Sequence, residues 1–148
     1  MKEREINQTE MEYQMRNWYY FNWLCGDHIC EQHIHNLDVA NWFLNEYPET
    51  AQGMGGREIR KDKKFGEIFD HHYVEFKYKS GAIVSSQCRH QPNTHRQVNE
   101  TIIGTKGVLE ISGNGNAIIK NHNGDTLFQY NQRGDESPYQ IEHNELFK

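Results

Sequence analysis

Four titratable side chains stand three and four residues apart between positions 28 and 38: His28, Glu31, His35 and Asp38. On a helix those spacings put neighbours on one face, close enough for their side chains to interact. An imidazole exchanges protons near neutral pH, and a carboxylate one turn away orients and tunes it. Glu31 and His35 stand in that i, i+4 relation, so the pair suits moving a proton to or from a hydroxyl group. The plain alternative is a solvated polar face, but Trp42 falls in the same sector and is poorly suited to open water. The cluster also has the donor types of a divalent-metal site, with His71 and His72 as further donors. Its spacing fits that poorly. His28 and His35 are seven residues apart, whereas helical zinc sites favour His-x-x-x-His, and His33 and His35 point to opposite faces. No metal is expected on it.

The stretch that must present these groups, Gly26 to Leu44, reads as one long helix. Ile29, Cys30, His33, Ile34, Leu37, Ala40 and Leu44 form the opposite, core-facing stripe. Asp27 stands where an N-cap carboxylate takes a backbone N–H. Upstream, residues 1–10 form a loose lead-in, and Thr9 caps a short helix holding Met11, Met15 and Trp18. WYYFNW then reads as extended up to a turn at Cys25–Gly26. Its Trp18 and Tyr20 suit either a core or a platform on which a sugar ring stacks.

Asn45 to Pro48 ends the helical pattern, because proline disfavours helix in the residue before it. AQGMGGREIR reads as a short strand with glycine kinks. Gly53, Gly55 and Gly56 have the wrong spacing for a dinucleotide loop, and no helix pattern follows them. From residue 66 the period changes to two, giving a hairpin of Val74, Phe76 and Tyr78 with AIVSSQCRH. Arg89 and His90 end that strand and could reach the same cleft as the helical cluster. VNETIIG, VLEIS, AIIKN and TLFQY follow, with Asn123–Gly124 a strong two-residue hairpin signal. The tail, residues 131–148, is polar, and PYQIEHNELF reads as a helix beginning. Helices followed by a run of strands predict one α+β domain: an open, mainly antiparallel sheet with the long helix on one face. The other sheet face then needs a cover, for which a homodimer is the simplest.

The chain has 148 residues, 12% aromatics and a formal net charge of -5. With a mean hydropathy of -0.97 the core is expected to be thin. The charge offers no footprint for nucleic acid, and the basic run Arg57–Lys64 is interrupted by acids. No apolar run is long enough to span a bilayer and no signal peptide heads the chain. A cytoplasmic location is therefore the default, with the periplasm open if a full-length protein carries an export signal. Cys25, Cys30 and Cys88 are odd in number and lack paired spacing, which favours reduced thiols.

GDHICEQHIHNLDVANW, with RNWYYFNWL before it, resembles the C-terminal domain of the glucose-fructose oxidoreductase and inositol dehydrogenase (Gfo/Idh/MocA) family. The resemblance continues through YP, AQGMGGR, GEIFDHHYVEF, SQCRH, GTKG and PYQIEHNELF. It implies an α+β domain that follows a nucleotide-binding Rossmann domain, faces the nicotinamide with its long helix and oligomerises through its sheet. The family pattern of acid, small residue, histidine and acid falls on Glu31, His33, His35 and Asp38. Two positions depart from it: Glu31 stands where aspartate is common, and His33 where glycine is common. The implied activity is NAD- or NADP-dependent oxidation of a sugar, polyol or related hydroxyl compound. In that scheme His35 and Glu31 are catalytic, and Asp38, His28, Arg89, His90 and Trp18 line the substrate. The nucleotide would be held mainly by the missing Rossmann domain, with no cofactor site expected in this chain. The chain reads as a piece that stops before the family's last helix and is inactive alone. A stand-alone carbohydrate-binding or dimerisation module, or a metal-binding domain using the His and acid cluster, is the alternative.

Overall fold

Thr9 starts the first helix as its side chain predicts. It accepts the Glu12 N–H at 3.3 Å, while the Glu12 carboxylate takes the Thr9 N–H at 2.8 Å. This reciprocal capping box opens α1, Glu10–Arg16. The structure, a computed structural model, describes residues 1–148. It divides into two compact units, Met1–His95 and Arg96–Lys148.

In the first unit WYYFNW is helical rather than extended. A 3-10 turn, Trp18–Tyr20, leads into α2, Asn22–Cys25, which Gly26 ends at a φ of 71°. Tertiary packing overrides the strand preference of these aromatics. Phe21 is buried with its ring 6.2 Å from that of Tyr13, and the Tyr13 hydroxyl donates to the Lys64 carbonyl at 2.8 Å. Gly66 continues this packing where no other residue fits. Its φ is 67°, and a Cβ there would fall on the Tyr20 carbonyl.

The expected long helix is two helices: α3, His28–Glu31, and α4, Ile34–Leu44. At the junction the His33 N–H reaches back five residues to the His28 carbonyl, at 3.1 Å. The His35 and Asn36 N–H groups then bond three residues back, at 3.4 and 3.1 Å. A π-type bond followed by 3-10 bonds shifts the helical register, so the two predicted stripes do not run through. Cys30 and Ile34, expected toward the core, are exposed, whereas His28, expected outward, is buried. Asn45 ends α4 in the left-handed conformation, three residues before Pro48.

Strands β1 (Pro48–Gly56), β2 (His71–Tyr78) and β3 (Ile83–Arg89) pair antiparallel in that order. Their register puts His72, Val74, Phe76 and Tyr78 on one face with Val84, Ser86 and Cys88. This face receives the helices: the Tyr78 hydroxyl donates to Asn41 Oδ1 of α4 at 2.7 Å. The opposite face carries Met54, Tyr73 and Ile83, all exposed in the chain. The buried apolar side chains are Tyr13, Phe21, Ile68 and Tyr78, a core as thin as the composition implies.

The second unit contains β4 (Asn99–Ile103), β5 (Val108–Ser112), β6 (Ala117–Lys120) and β7 (Thr126–Tyr130), paired antiparallel in sequence order. The Asn123–Gly124 turn joins β6 to β7, with Gly124 at a φ of 93°. The last helix, α5, spans Pro138–Leu146. The architecture is α+β and antiparallel as expected, but the strands form two sheets rather than one. The division falls after β3. There the His90 N–H is taken by the Asp70 carbonyl at 2.8 Å, and Pro92 and Asn93 (φ 59°) turn the chain before β4 begins. No helix is long and apolar enough to cross a membrane.

Candidate functional site

The polar centre of the first unit is Asp27, in the turn between α2 and α3. Its backbone has a φ of 78° and a ψ of 159°, a region that L residues rarely occupy. Its Oδ2 accepts the Phe69 N–H at 2.8 Å, tying the helices to the segment that enters β2. Its Oδ1 accepts the His28 N–H at 2.6 Å and faces His28 Nδ1 at 3.0 Å and His72 Nε2 at 3.3 Å. The two imidazoles lie with ring centres 4.7 Å apart, and His28 Nδ1 is also 3.1 Å from the Phe69 carbonyl. His72 has room because Gly55 stands opposite it in β1. A Cβ on Gly55 would lie 3.0 Å from the Phe69 ring and 3.2 Å from His72 Nδ1.

Burial raises the Asp27 carboxyl, but hydrogen bonds from the His28 ring, the Phe69 and His28 N–H groups and His72 outweigh it. The carboxyl is held down at about 2. Burial lowers His33, His72 and His90, with Asp27 opposing the change at His72. Asp27 is therefore ionised at neutral pH, beside His72 whose charged form burial disfavours.

Of the residues singled out in the sequence, His28 is buried, with 5% of its side chain exposed. Glu31 is half-buried one turn along α3, and its Oε2 is buried without a partner, as is His28 Nε2. His35 is exposed in the first turn of α4, and Asp38 is half-buried one turn later. The register shift between α3 and α4 lies between Glu31 and His35, so their relation is not that of an unbroken helix. Trp42 stands 76% exposed. His33 turns to the sheet and meets Ser86 Oγ at 2.7 Å.

His90 belongs with this group. Its ring lies 6.4 Å from that of His28, edge-on to Tyr19 at 5.5 Å and stacked on Tyr20 at 6.1 Å. Its Nδ1 is buried without a partner. Trp18 borders the same aromatic frame, 5.8 Å from Tyr19. Burial, and after it the charge of Glu31, pushes the Tyr19 phenol up to about 12, so it remains a donor. Arg89 goes elsewhere: alternation along β3 puts it on the face opposite Cys88, and Nη2 donates to the His95 carbonyl at 2.8 Å.

Sequence spacing missed Asp27 as a hub, His72 as its second imidazole and Ser86 as the anchor of His33. The available signals were the GDH turn and the DHH triplet, each placing an acid beside histidine at the edge of an element. A second buried carboxylate, Asp70, is 1% exposed and fixes the neighbouring loops. It accepts the Glu58 and Ile59 N–H groups at 2.7 Å each and meets His71 Nδ1 at 2.8 Å and Gln91 Nε2 at 3.1 Å.

An antiparallel sheet with helices on one face and a buried acid–imidazole cluster between them defines an α+β domain. Three solved structures share the fold. One is a protein assigned as an oxidoreductase from Thermotoga maritima, with a TM-score of 0.65 and 15% identity over 96% of this chain. Another is aldose-aldose oxidoreductase from Caulobacter crescentus complexed with glycerol, with a TM-score of 0.64 and 18% identity over 81% of this chain. A third, assigned as an oxidoreductase from Erwinia carotovora atroseptica SCRI1043, has a TM-score of 0.62 and 17% identity over 99% of this chain. The matches cover 42%, 36% and 46% of those chains, so this chain spans less than half of each. No curated protein matches it by sequence. The GFO/IDH/MocA C-terminal domain matches residues 5–110, and the chain belongs to that family.

Proposed function

We propose that the chain is the substrate-binding and oligomerisation half of an NAD- or NADP-dependent oxidoreductase acting on a sugar, polyol or related hydroxyl compound. The observation that carries this reading is the unpartnered His90 Nδ1 held between Tyr19 and Tyr20, with half-buried Glu31 beside Tyr19. Aromatic faces with a few fixed polar atoms suit a ring or chain of carbons bearing hydroxyls. The glycerol in the Caulobacter relative is a ligand of that kind.

The glycine-rich stretch of this chain offers a nucleotide no phosphate-binding turn. Gly53, Gly55 and Gly56 lie inside β1, paired with β2, rather than at a helix start. The nucleotide would be held by a domain outside these residues and would supply the hydride acceptor. Within the chain, Glu31 accepts a hydrogen bond from a substrate hydroxyl. His35, exposed at the start of α4, takes or returns the hydroxyl proton. Asp38, His28 and Trp18 border the site, and Arg89 has no part in it. The exposed face bearing Met54, Tyr73 and Ile83 is covered by a second copy of the chain.

Proton NMR of the histidine rings during titration with glycerol, glucose and myo-inositol tests the reading. His35 and His90 signals should shift saturably in the millimolar range, while those of His122 and His143 stay fixed. Signals that stay fixed for all three compounds would refute polyol binding. If the signals shift but His35→Ala, joined to a nucleotide-binding domain, turns over within a few-fold of its parent, the binding-module alternative is favoured.

A further inference from the structure

We propose that Asp27, His28 and His72 form a binding site for one divalent transition-metal ion of the zinc or cobalt type. One ligand atom from each of the three lies within 4.8 Å of the others. Their side chains are 13%, 5% and 13% exposed, so the group is sheltered but not sealed.

The distances suit ligands of a common ion. Metal–nitrogen and metal–oxygen bonds of about 2.0–2.2 Å place neighbouring ligand atoms about 3.3–3.6 Å apart at tetrahedral angles and about 2.8–3.1 Å apart at right angles. Asp27 Oδ1 stands 3.0 Å from His28 Nδ1 and 3.3 Å from His72 Nε2. Charge-assisted N–H···O bonds to a carboxylate are shorter, about 2.7–2.9 Å. Oδ1 is also already taken at 2.6 Å by the His28 backbone N–H, and a carboxylate oxygen has about two lone pairs to give. A proton on His28 Nδ1 would further have to serve both Oδ1 and the Phe69 carbonyl, 3.1 Å away. An ion among these atoms relieves the crowding, with the Phe69 carbonyl oxygen as a fourth donor beside it. Two imidazoles and a carboxylate are a borderline-soft donor set, which prefers zinc or cobalt to magnesium or calcium.

A second, independent observation concerns the far side of the His28 ring. His28 Nε2 and Glu31 Oε2 are both buried without partners, three residues apart on α3. With a proton on Nδ1, Nε2 is an acceptor, and it and the carboxylate are two acceptors that cannot serve each other. With Nδ1 bound to metal the proton sits on Nε2, and the Glu31 carboxylate, three residues on along α3, has to turn toward it to accept. A metal-bound histidine commonly donates its other N–H to a carboxylate in this way.

The test is titration of the chelator-stripped chain with Co²⁺, read by visible absorption, and with Zn²⁺ in competition. One equivalent should bind. His72→Ala and His28→Ala should each weaken binding about 100-fold or more, and Glu31→Gln about 10- to 100-fold. His143→Ala, on the exposed helix α5, should bind as the parent does. If His28→Ala fails to fold, the other two variants decide the outcome. No saturable binding, or binding unchanged in His72→Ala and Glu31→Gln, overturns the site and leaves a purely hydrogen-bonded hub. Polyol titration of the metal-free chain is read separately, so the two readings fail independently.

Discussion

Replacing Asp70 with asparagine isolates the contribution of one buried carboxylate. Its Oδ2 accepts the Glu58 and Ile59 N–H groups, and its Oδ1 faces His71 Nδ1 and Gln91 Nε2. In Asp70→Asn the amide oxygen can keep the two backbone donors, while the amide nitrogen forces His71 and Gln91 to present acceptors. Hydrogen bonds to a charged group contribute about 1.5–3 kcal/mol and neutral ones about 0.5–1.5. Two retained bonds that lose their charge, with rearranged partners, amount to a loss of about 2–4 kcal/mol. Urea unfolding followed by tryptophan fluorescence at pH 7 should show it. The pH dependence carries the sharper test. Burial raises the Asp70 carboxyl, but hydrogen bonds from Ile59, His71, Glu58 and Gln91 outweigh it and hold it well below the usual carboxylate range. A depressed folded pKa contributes stability that is fully present above the unfolded value of about 3.9 and is lost as pH falls toward the folded one. The gap between parent and Asp70→Asn should therefore be full at pH 7 and narrow below about pH 4. Asp27 is common to both proteins and drops out of the difference. A variant within about 0.5 kcal/mol of the parent at pH 7, or a gap that widens on acidification, would refute the reasoning.

Three further outcomes follow from packing. Gly66→Ala should prevent stable folding, seen as loss of a cooperative melt, because its Cβ meets the Tyr20 carbonyl and its φ is 67°. Tyr78→Phe leaves Asn41 Oδ1 without its 2.7 Å donor and should cost about 1 kcal/mol in urea unfolding. Tyr73→Glu, on the exposed sheet face, should shift the chain toward monomer by light scattering while the melt stays cooperative, because Tyr73 lies outside the buried core.

Local pattern made most elements legible. The alternation of Val74, Phe76 and Tyr78 marks β2, and Thr9 with Glu12 marks the start of α1. Asn45 and Pro48 bracket the end of α4 correctly. Long-range effects stayed hidden. Phe21, the extended link between two helical turns, is buried against Tyr13, and Tyr13 in turn bonds to Lys64, 51 positions away in the sequence. The first sheet ends where the Asp70 carbonyl takes the His90 N–H, a bond that no residue spacing announces. The site was legible in composition but not in membership. His28 and Glu31 were visible on the helix, whereas Asp27 appeared only as a cap. His72 joins it from 45 positions away, on another strand.

The break between α3 and α4 has no glycine or proline to account for it, since Gln32 and His33 are ordinary helix residues. Its cause lies in what His33 meets. In an unbroken helix His33 would share a stripe with Ile29 and Leu37, its polar ring pressed among apolar neighbours. The break instead delivers Nε2 to Ser86 Oγ at 2.7 Å, the kind of partner a half-buried imidazole needs. The same turn lets α3 tilt His28 inward to Asp27 and Phe69 while α4 keeps its own alignment with Tyr78. A continuous helix could satisfy one set of contacts or the other, because a register fixed by 3.6 residues per turn ties His28 to His35. Regular structure is thus lost where two demands on one segment conflict, and the residues that could do chemistry collect at that place.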